Sequence, residues 1–405
     1  MAGALPEGRR PAPDGRLPTG ITPNVATPLS AYVHVPYCRV RCGYCDFNTY
    51  TSDELRGSRR DTYVDVVARE IDLAHRVLRE ADGLRPLDTV FFGGGTPTLL
   101  PARDLVAVRE DLASRFGISD HAEITTEANP DSVDLAYLQE LAAGGFTRVS
   151  FGVQSVVPHV LATLDRTHDP DRVGDVITAA RTAGLNVSID LIYGTPGESL
   201  DDWRRSLDAV LEWDVDHVSA YALIVEEGTA LERRIRRGEI SAVDDDLHAD
   251  MYEMADDVFA SAGLEWYEIS NWARTPQSRS QHNLAYWRDY DWWGFGPGAH
   301  SHVAGARWWN VKHPAEYERL LTSGVTPAAG YEVPSPEERE LERLMLGLRV
   351  SEGVAAGNVN ASTVTELIAA GLLNDAAART GQLVLTRNGR LRADEVVRRL
   401  VETSD

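Results

Sequence analysis

The sequence is poor in lysine, cysteine and long apolar runs. Lys312 is the only lysine among 40 basic residues, so Schiff-base chemistry has one candidate nucleophile, and it lies in a polar stretch. No segment approaches the roughly 18 consecutive apolar residues of a membrane span, and the N-terminus lacks the apolar core typical of a secretory signal. These absences predict a cytoplasmic protein with no membrane span.

Positive charge is also scarce. Acidic residues outnumber basic ones by 62 to 40, which gives a net charge of −22. This charge repels the phosphate backbone of nucleic acid, and no basic patch offsets it, so we expect no nucleic-acid partner. A chain of 405 residues can hold two or three domains, or one barrel with appendages.

Hydrophobic periodicity divides the chain into an N-terminal arm and an α/β region. Residues 1–29 contain six prolines and no hydrophobic period, which predicts a disordered arm. Helical patterns at 67–78, 135–144, 173–184 and 203–211 then alternate with six strand-like runs, at 32–35, 89–92, 123–126, 148–153, 187–193 and 217–223. This alternation predicts a parallel sheet, either open and doubly wound or part of a barrel, with ligand-binding groups at the C-terminal strand ends.

The last third of the sequence has a different composition. Residues 271–330 hold six of the nine tryptophans and many glycines, which predicts an aromatic, glycine-rich subdomain. Residues 331–405 contain a leucine-rich helical pattern at 341–348, a second helix at 363–370 and a hairpin formed by 383–386 and 389–391. We interpret them as a winged-helix-like helical domain that contacts protein or covers a site.

All three cysteines lie within eight positions, as Cys38, Cys42 and Cys45 in the pattern C-x3-C-x2-C. Their odd number and tight spacing argue against a disulfide framework. A structural zinc ion would need a fourth ligand such as His34. A four-iron cluster held by three thiolates leaves one iron free to bind a substrate or cofactor. The spacing leaves both interpretations open.

The segment 32–45, Tyr-Val-His-Val-Pro-Tyr-Cys-Arg-Val-Arg-Cys-Gly-Tyr-Cys, resembles the radical S-adenosylmethionine (SAM) proteins. The resemblance is to the branch of oxygen-independent coproporphyrinogen III oxidases and their heme-chaperone relatives, and it covers nearly the whole chain after residue 30. It implies a partial (β/α)6 barrel over residues 30–270. It also implies a [4Fe–4S] cluster on Cys38, Cys42 and Cys45, with SAM chelating the open iron through its amino and carboxylate groups.

Further motifs fit this family. Three glycines at 93–95 let the backbone approach a ligand closely, although a simple βα turn would also use them. By resemblance, Arg166 pairs with the methionine carboxylate of SAM, Tyr44 lies against the adenine, and the glycine segment holds the amino group. The remaining residues contact the ribose or the methionine end. The SAM-binding set implied in this way is Tyr32, Tyr44, Gly94, Gly95, Thr96, Glu127, Gln154, Arg166 and Asp190.

One departure from the family pattern bears on the substrate. The oxidases keep a further cysteine after the third one, where this chain has Phe47. It carries instead His282-Asn-Leu-Ala-Tyr-Trp287, which matches the H-N-x-x-Y-W motif of the heme chaperones. A neutral imidazole can ligate heme iron, so we expect heme contact at His282, with His300 and His302 as weaker candidates.

Three functions follow from these residues. The first is a heme chaperone that binds the cluster, SAM and heme and delivers heme to an acceptor such as a respiratory protein, which can be membrane-associated. The alternative is an oxygen-independent coproporphyrinogen III dehydrogenase of porphyrin biosynthesis, a radical SAM oxidative decarboxylase. A zinc-stabilised binding module would leave the glycine triplet, Arg166 and Asp190 without a joint purpose.

Overall fold

The computed structural model describes residues 7–55, 60–242 and 244–402. Twelve strands form one mixed sheet, in the order β12-β11-β10-β9-β1-β2-β3-β4-β5-β6-β8-β7. The strands are β1 (Leu29–Val35), β2 (Leu87–Gly94), β3 (Ile118–Ala128), β4 (Arg148–Gln154), β5 (Asn186–Tyr193), β6 (His217–Ala222), β7 (Glu265–Glu268), β8 (Asn271–Ala273), β9 (Asp291–Phe295), β10 (His300–Val303), β11 (Ala306–Asn310) and β12 (Ala328–Glu332).

Strands β1 to β6 pair in parallel, each with the next along the chain, which confirms the six predicted strands. In the described part of the chain the sheet does not close, because β12 and β7 are its two ends, so the barrel is partial as expected. Its first helices are α1 (Tyr63–Glu80), α2 (Ala102–Phe116), α3 (Leu135–Ala143), α4 (Pro158–Thr163), α5 (Val173–Thr182) and α6 (Leu200–Glu212).

These helices bury their apolar sides against the outer face of the sheet. In α1, Val67, Ile71, Ala74 and Leu78 lie four or three positions apart, and all four are buried in one core cluster with the strands. The sequence predicted this stripe. The helices that follow β6 are α7 (Ala230–Arg236), α8 (Asp245–Ser261), α9 (Gln281–Trp287) and α10 (Pro314–Thr322).

Residues 271–330 do not form the separate aromatic subdomain that their composition predicted. Strand β8 pairs with β6 near one end of the sheet, whereas β9 pairs with β1 and leads to β10–β12 at the other end. Trp272 and Trp293 are buried in the same core cluster as β1–β6. The tryptophans therefore pack extensions of one sheet.

The arm also differs from its prediction. Arg9 and Tyr331 of β12 exchange two backbone hydrogen bonds of 2.8 and 3.0 Å, and the Thr326 amide donates to the Pro13 carbonyl at 2.8 Å. Residues 7–28, which the sequence predicted to be disordered, are therefore held by backbone pairing with β12 and by Leu17, which packs against the main core. Residues 1–6 lie outside the described residues.

The C-terminal residues form helices with their own apolar core, which includes Leu344, Leu367, Val396 and Leu400. The predicted helices appear as α11 and α12, and the predicted boundary at residue 331 stays a prediction. The elements are α11 (Pro336–Gly347), β13 (Val354–Ala355), α12 (Ala361–Ala369), α13 (Asp375–Ala378), β14 (Gln382–Leu383), α14 (Arg387–Leu391) and α15 (Ala393–Glu402).

The predicted hairpin of 383–386 and 389–391 is wrong. Strand β14 pairs with β13 of the preceding segment, and residues 387–391 form helix α14. Thr386 explains the change, since its hydroxyl accepts a hydrogen bond from the Gly389 amide at 3.1 Å and so caps a helix. Among the described residues, no helix is both long enough and apolar enough to span a membrane.

Candidate functional site

A cavity of about 580 Å³ lies on the inner face of β1–β6. Along each of these strands every second side chain faces this space. All thirteen residues that the sequence nominated line the cavity, with the three cysteines at its upper end and His282 on its wall. The inner face is mostly polar, unlike the packed interior of a closed (β/α)8 barrel.

The cysteine loop follows β1, as the sequence predicted. The loop returns on itself, because the Cys38 amide donates to the Tyr50 carbonyl at 3.0 Å and the Tyr50 amide donates to the Pro36 carbonyl at 2.7 Å. The three thiols are free and partly exposed. Burial, together with the nearby Cys45 and Cys42, raises the pKa of Cys38 to about 11, so this sulfur stays a thiol until a metal binds it.

The donor set fits a cluster better than a single zinc ion. His34, the expected fourth zinc ligand, uses both ring nitrogens elsewhere, one with the Tyr32 hydroxyl and one with the Asn48 carbonyl, each at 2.9 Å. Zinc needs four ligands at about 2.0–2.3 Å, whereas three cysteines satisfy a four-iron cluster that keeps one iron open.

The glycine segment packs directly against the cysteine loop. A Cβ atom at Gly95 would lie 2.5 Å from the Tyr37 carbonyl oxygen, and one at Gly94 would lie 2.5 Å from the His34 ring. The amides of Gly95 and Thr96 donate to the Val35 and Tyr37 carbonyls, both at 2.8 Å. These amides are therefore engaged, and a ligand amino group would meet the carbonyl oxygens of the segment.

Two carboxyl groups line the cavity, that of Glu127 on β3 and that of Asp190 on β5. Burial, reinforced by the charge of Asp190, raises the pKa of Glu127 to about 8. Burial also raises the pKa of Asp190, which accepts a hydrogen bond from Ser150 at 2.9 Å. Such a pair can accept hydrogen bonds from ligand hydroxyl or amino groups.

Arg166 joins the carboxyl side of the cavity to the cysteine loop. Its guanidinium donates to the Gly152 carbonyl, and Nη1 lies 3.8 Å from the Cys42 sulfur. Its Nε is buried and has no hydrogen-bond partner, although buried polar atoms are almost always paired. An unpaired guanidinium N–H beside the cysteines suits a ligand carboxylate.

Gln154 and Tyr44 also line the cavity. Gln154 ends β4 with φ of +65°, a left-handed conformation that costs a non-glycine residue about 1–2 kcal/mol. This conformation turns its amide into the cavity beside Gly152. Tyr44 lines the cavity and also packs on the apolar cluster that contains Val157 and Leu164.

The H-N-x-x-Y-W motif forms helix α9, and its histidine is fully engaged. His282 is 1 % exposed, with Nδ1 at 2.6 Å from the Thr89 hydroxyl and Nε2 at 2.9 Å from the Tyr286 hydroxyl. Burial lowers its pKa to about 3, so the imidazole is neutral. Tyr286 lines the cavity, but Trp287 packs beside Tyr267 in a separate apolar cluster.

The two weaker histidine candidates lie outside the residues that line the cavity. His302 is buried, with its ring 3.1 Å from the Tyr290 carbonyl and 3.5 Å from the Asp289 carboxylate. His300 is exposed at the start of β10. Of the three histidines, only His282 meets the predicted SAM-binding residues.

The mouth of the cavity carries three exposed apolar side chains, beside charged residues such as Arg39 and Asp46. Val40, Phe47 and Ile224 all line it and are 50 %, 60 % and 69 % exposed. Phe47, the residue that departs from the oxidase pattern, therefore projects beside the cysteines. Exposed apolar side chains around a cavity are typical of a ligand or protein contact.

The sequence analysis missed the floor of the cavity, where the strands begin. Thr125, Arg148, Ser188 and His217 line it. Two of them precede sequence-predicted cavity residues by two positions on the same strand, Thr125 before Glu127 and Ser188 before Asp190, so the period of two could have revealed these two.

Comparison with known proteins places the chain in a family. The model of the Radical SAM superfamily matches residues 32–210. A protein of Mycobacterium tuberculosis named heme chaperone HemW is 45% identical over 386 residues, which cover 94% of this chain and 97% of that protein. The chain belongs to the HemW heme-chaperone family. A Bacillus subtilis protein of the same name is 32% identical over 91% of this chain and 97% of its own.

The fold also matches a solved structure outside that family. The coproporphyrinogen III oxidase of Escherichia coli, described as a radical SAM enzyme, superposes with a TM-score of 0.77 at 22% identity. The match covers 94% of this chain and 90% of that one. At this identity the likeness shows a shared fold. Membership of the radical SAM superfamily carries with it a [4Fe–4S] cluster and SAM.

Proposed function

We propose that this HemW-family chain is a heme chaperone that holds a cluster, SAM and heme and passes the heme to an acceptor protein. The observation that carries the proposal is the cavity. It brings together three free thiols, an unpaired arginine N–H and two carboxyl groups, and three exposed apolar side chains lie at its mouth. The near full-length likeness to proteins named heme chaperones supports it.

Residues of the upper cavity fit the cluster and SAM. When bound, the cluster would supply an open iron that the amino and carboxylate groups of SAM chelate. Arg166 would use its unpaired Nε–H to hold the methionine carboxylate. Glu127 and Asp190 would accept hydrogen bonds from the ribose hydroxyls. Because its pKa is raised to about 8, Glu127 is mostly protonated at neutral pH and its carboxyl group can also donate a hydrogen bond.

Heme would contact the wall that contains His282. Phe91 stacks on the His282 ring at 5.0 Å between centroids, and Tyr32 lies beside both rings. Direct ligation of iron by Nε2 requires the 2.9 Å contact with the Tyr286 hydroxyl to break. The exposed side chain of Phe47, at the mouth of the cavity, would cover the edge of the macrocycle and offer an apolar surface to the acceptor protein.

Anaerobic reconstitution with iron and sulfide, followed by titration with hemin, tests this function. We expect stoichiometric hemin binding and transfer to an apo-acceptor. His282→Ala should shift the Soret band or weaken hemin binding while leaving the cluster spectrum intact, and His300→Ala is the matched control. Conversion of coproporphyrinogen III with release of carbon dioxide would instead identify an oxidase.

A further inference from the structure

The floor of the cavity carries three polar atoms that the fold leaves unpaired. They are the Thr125 hydroxyl, the Arg148 Nε and the His217 Nδ1. The three residues are 1 %, 3 % and 2 % exposed, yet all of them line the cavity. A buried polar atom without a partner costs about 1–3 kcal/mol, so three in one place indicate a position for ligand atoms.

The three groups are neighbours in the sheet. Thr125 and Arg148 are register partners on β3 and β4, and Ser188 and His217 are partners on β5 and β6. The Arg148 guanidinium connects the two pairs, since Nη1 donates to the Ser188 hydroxyl at 3.2 Å. The floor therefore spans four strands, and the Arg148 side chain bridges the offset between β4 and β5, where Ser188 is the register partner of Ser150.

The hydrogen-bond network favours the tautomer in which His217 donates toward the cavity. The Ser280 amide donates to the Tyr267 hydroxyl at 3.0 Å, which leaves the hydroxyl proton free to donate to His217 Nε2 at 2.7 Å. The neutral imidazole then carries its hydrogen on Nδ1. Arg148 Nε–H is a donor at all pH values, and the Thr125 hydroxyl is able to donate.

The charge of the floor is balanced before a ligand arrives. The Glu123 carboxylate lies 3.2 Å from Arg148 and accepts hydrogen bonds from the amides of Gln281 and His282 at 3.2 and 3.1 Å. Both of its oxygens are therefore engaged, which leaves the three unpaired donors to face the cavity. A group with two acceptor oxygens satisfies such donors best.

The floor adjoins the part of the cavity that suits SAM, since Thr125 and Ser188 lie two residues, roughly 7 Å of strand, before Glu127 and Asp190. Only the far end of the SAM part, at Gln154, is distant from it. Arg148 begins β4 and Gln154 ends it, so their backbones are separated by roughly 20 Å along the strand. His282, on the proposed heme wall, is close to the floor because Glu123 binds both its amide and Arg148.

We propose that Thr125, Arg148 and His217 form a carboxylate subsite that holds a propionate group of the tetrapyrrole. This inference rests on the proposed heme-binding function and specifies how the ligand is oriented. The propionate points to the start of the strands, and the macrocycle lies along the wall of Tyr32, Phe91 and His282.

Thr125→Val tests the subsite with little risk to folding, because the hydroxyl that it removes has no partner in the fold. The matched control is Thr126→Val on the outer face of the same strand, whose hydroxyl donates to the Glu127 carbonyl at 3.1 Å. Affinity is measured with hemin, with hemin dimethyl ester and with SAM, and the midpoint of thermal unfolding is measured without ligand.

We expect Thr125→Val to bind hemin about tenfold more weakly, the scale of one hydrogen bond to a charged group, with an unfolding midpoint no lower than that of the wild type. Hemin dimethyl ester should bind the wild type weakly, and Thr125→Val should not change its affinity. Thr126→Val should retain hemin affinity.

Equal hemin affinity in the wild type and Thr125→Val, or equal affinity for hemin and its ester, would overturn the subsite and leave the heme-chaperone function standing. If Thr125→Val lost affinity for SAM and kept its affinity for hemin, the floor would belong to the SAM site, and the propionate subsite would again be overturned. Failure of the wild type to bind hemin would overturn both the subsite and the proposed function.

Discussion

Individual side chains in the cavity differ in whether the fold completes their hydrogen bonds. His34 and His282 use both ring nitrogens inside the chain, whereas Arg166 and Thr125 each keep an unpaired atom. Substituting the first kind removes contacts that hold the cavity together. Substituting the second kind removes contacts that only a ligand completes, so its effect should appear in binding rather than in folding.

The cysteines permit a direct test of the metal centre. Anaerobically reconstituted protein should hold about four irons and four sulfides per chain, and Cys42→Ser should lose them because two thiolates cannot anchor the cluster. Iron and acid-labile sulfide analysis measures this. Val40→Ala, in the same loop, should keep the full content, and tightly bound zinc without sulfide would contradict the cluster.

Glu127 should make the stability of the ligand-free protein depend on pH. Its folded pKa of about 8 lies above its ordinary value, so its contribution is present at low pH and is lost as pH rises through 8. Between roughly pH 5 and 8 the free energy of unfolding should fall by up to about 1.4 kcal/mol per pH unit from this group. Glu127→Gln should flatten the profile measured by urea unfolding.

The matched control for this profile is Glu110→Gln, since Glu110 is exposed on α2. Other buried carboxyl groups with raised pKa values, such as Glu70 and Glu268, act in the same direction in both proteins. The difference between the stability–pH profiles of the wild type and of Glu127→Gln therefore reports the ionisation of Glu127 alone. Parallel profiles for wild type and Glu127→Gln would show that this carboxyl is already ionised.

Helices α8 and α14 are joined by a largely buried ion pair. Arg390 donates to both oxygens of Asp256 at 3.0 and 2.7 Å, and its guanidinium lies 4.4 Å from the centre of the Trp266 ring. Removing Arg390 takes away two charge-assisted hydrogen bonds and leaves Asp256 with only the Trp272 indole at 2.9 Å and the Arg387 guanidinium at 3.4 Å. Arg390→Ala should therefore lower the free energy of unfolding by about 3 kcal/mol.

Chemical denaturation followed by tryptophan fluorescence measures this loss. The control is Arg392→Ala, since Arg392 is exposed and pairs with Glu395 three residues along α15. Pairs of this kind contribute about 0.3–0.5 kcal/mol. Similar losses for Arg390→Ala and Arg392→Ala would mean that the ion pair does not hold α14 against α8.

Local sequence signals predicted the elements that depend on local contacts. The stripe of Val67 and Ile71 predicted α1, and the three cysteines predicted the loop after β1. The position of β9 beside β1 could not be predicted, because 255 residues of chain separate strands with no shared pattern. The arm was missed for a similar reason, since it depends on β12, whereas α14 depends on a local signal, the Thr386 cap, that the predicted hairpin overlooked.

The same limit applies to the site. Motifs found the upper cavity because Arg166 and Asp190 stand in recognisable patterns. Thr125 and His217 belong to no motif. Four strands bring them together at the floor of the cavity, and only this arrangement identifies them as candidate ligand contacts. An unpaired atom such as His217 Nδ1 is a property of the assembled fold.

For the molecule as a whole, the arm protects one end of the sheet. Strand β12 is the last strand, and Arg9 pairs with Tyr331 along its outer edge. Exposed edge strands promote association between chains. Deleting residues 1–28 should therefore lower the unfolding midpoint and produce concentration-dependent oligomers, as measured by size-exclusion chromatography with light scattering.

Deleting residues 1–6 alone is the control, because the pairing begins at Arg9 and this shorter deletion should leave the protein unchanged. A monomer of unaltered stability after the longer deletion would show that the β12 edge needs no cover.

The central position of β1 has a consequence for synthesis on the ribosome. This strand emerges early, yet its neighbour β9 is complete only at residue 295. At 5–20 residues per second, the cysteine loop would wait roughly 13–50 seconds, while about 260 further residues are made, before its strand is paired on both sides. During that interval the three thiols are attached to an incomplete sheet and are open to oxidants. Assembly of the metal centre is therefore expected only after β9 has been made and has paired with β1.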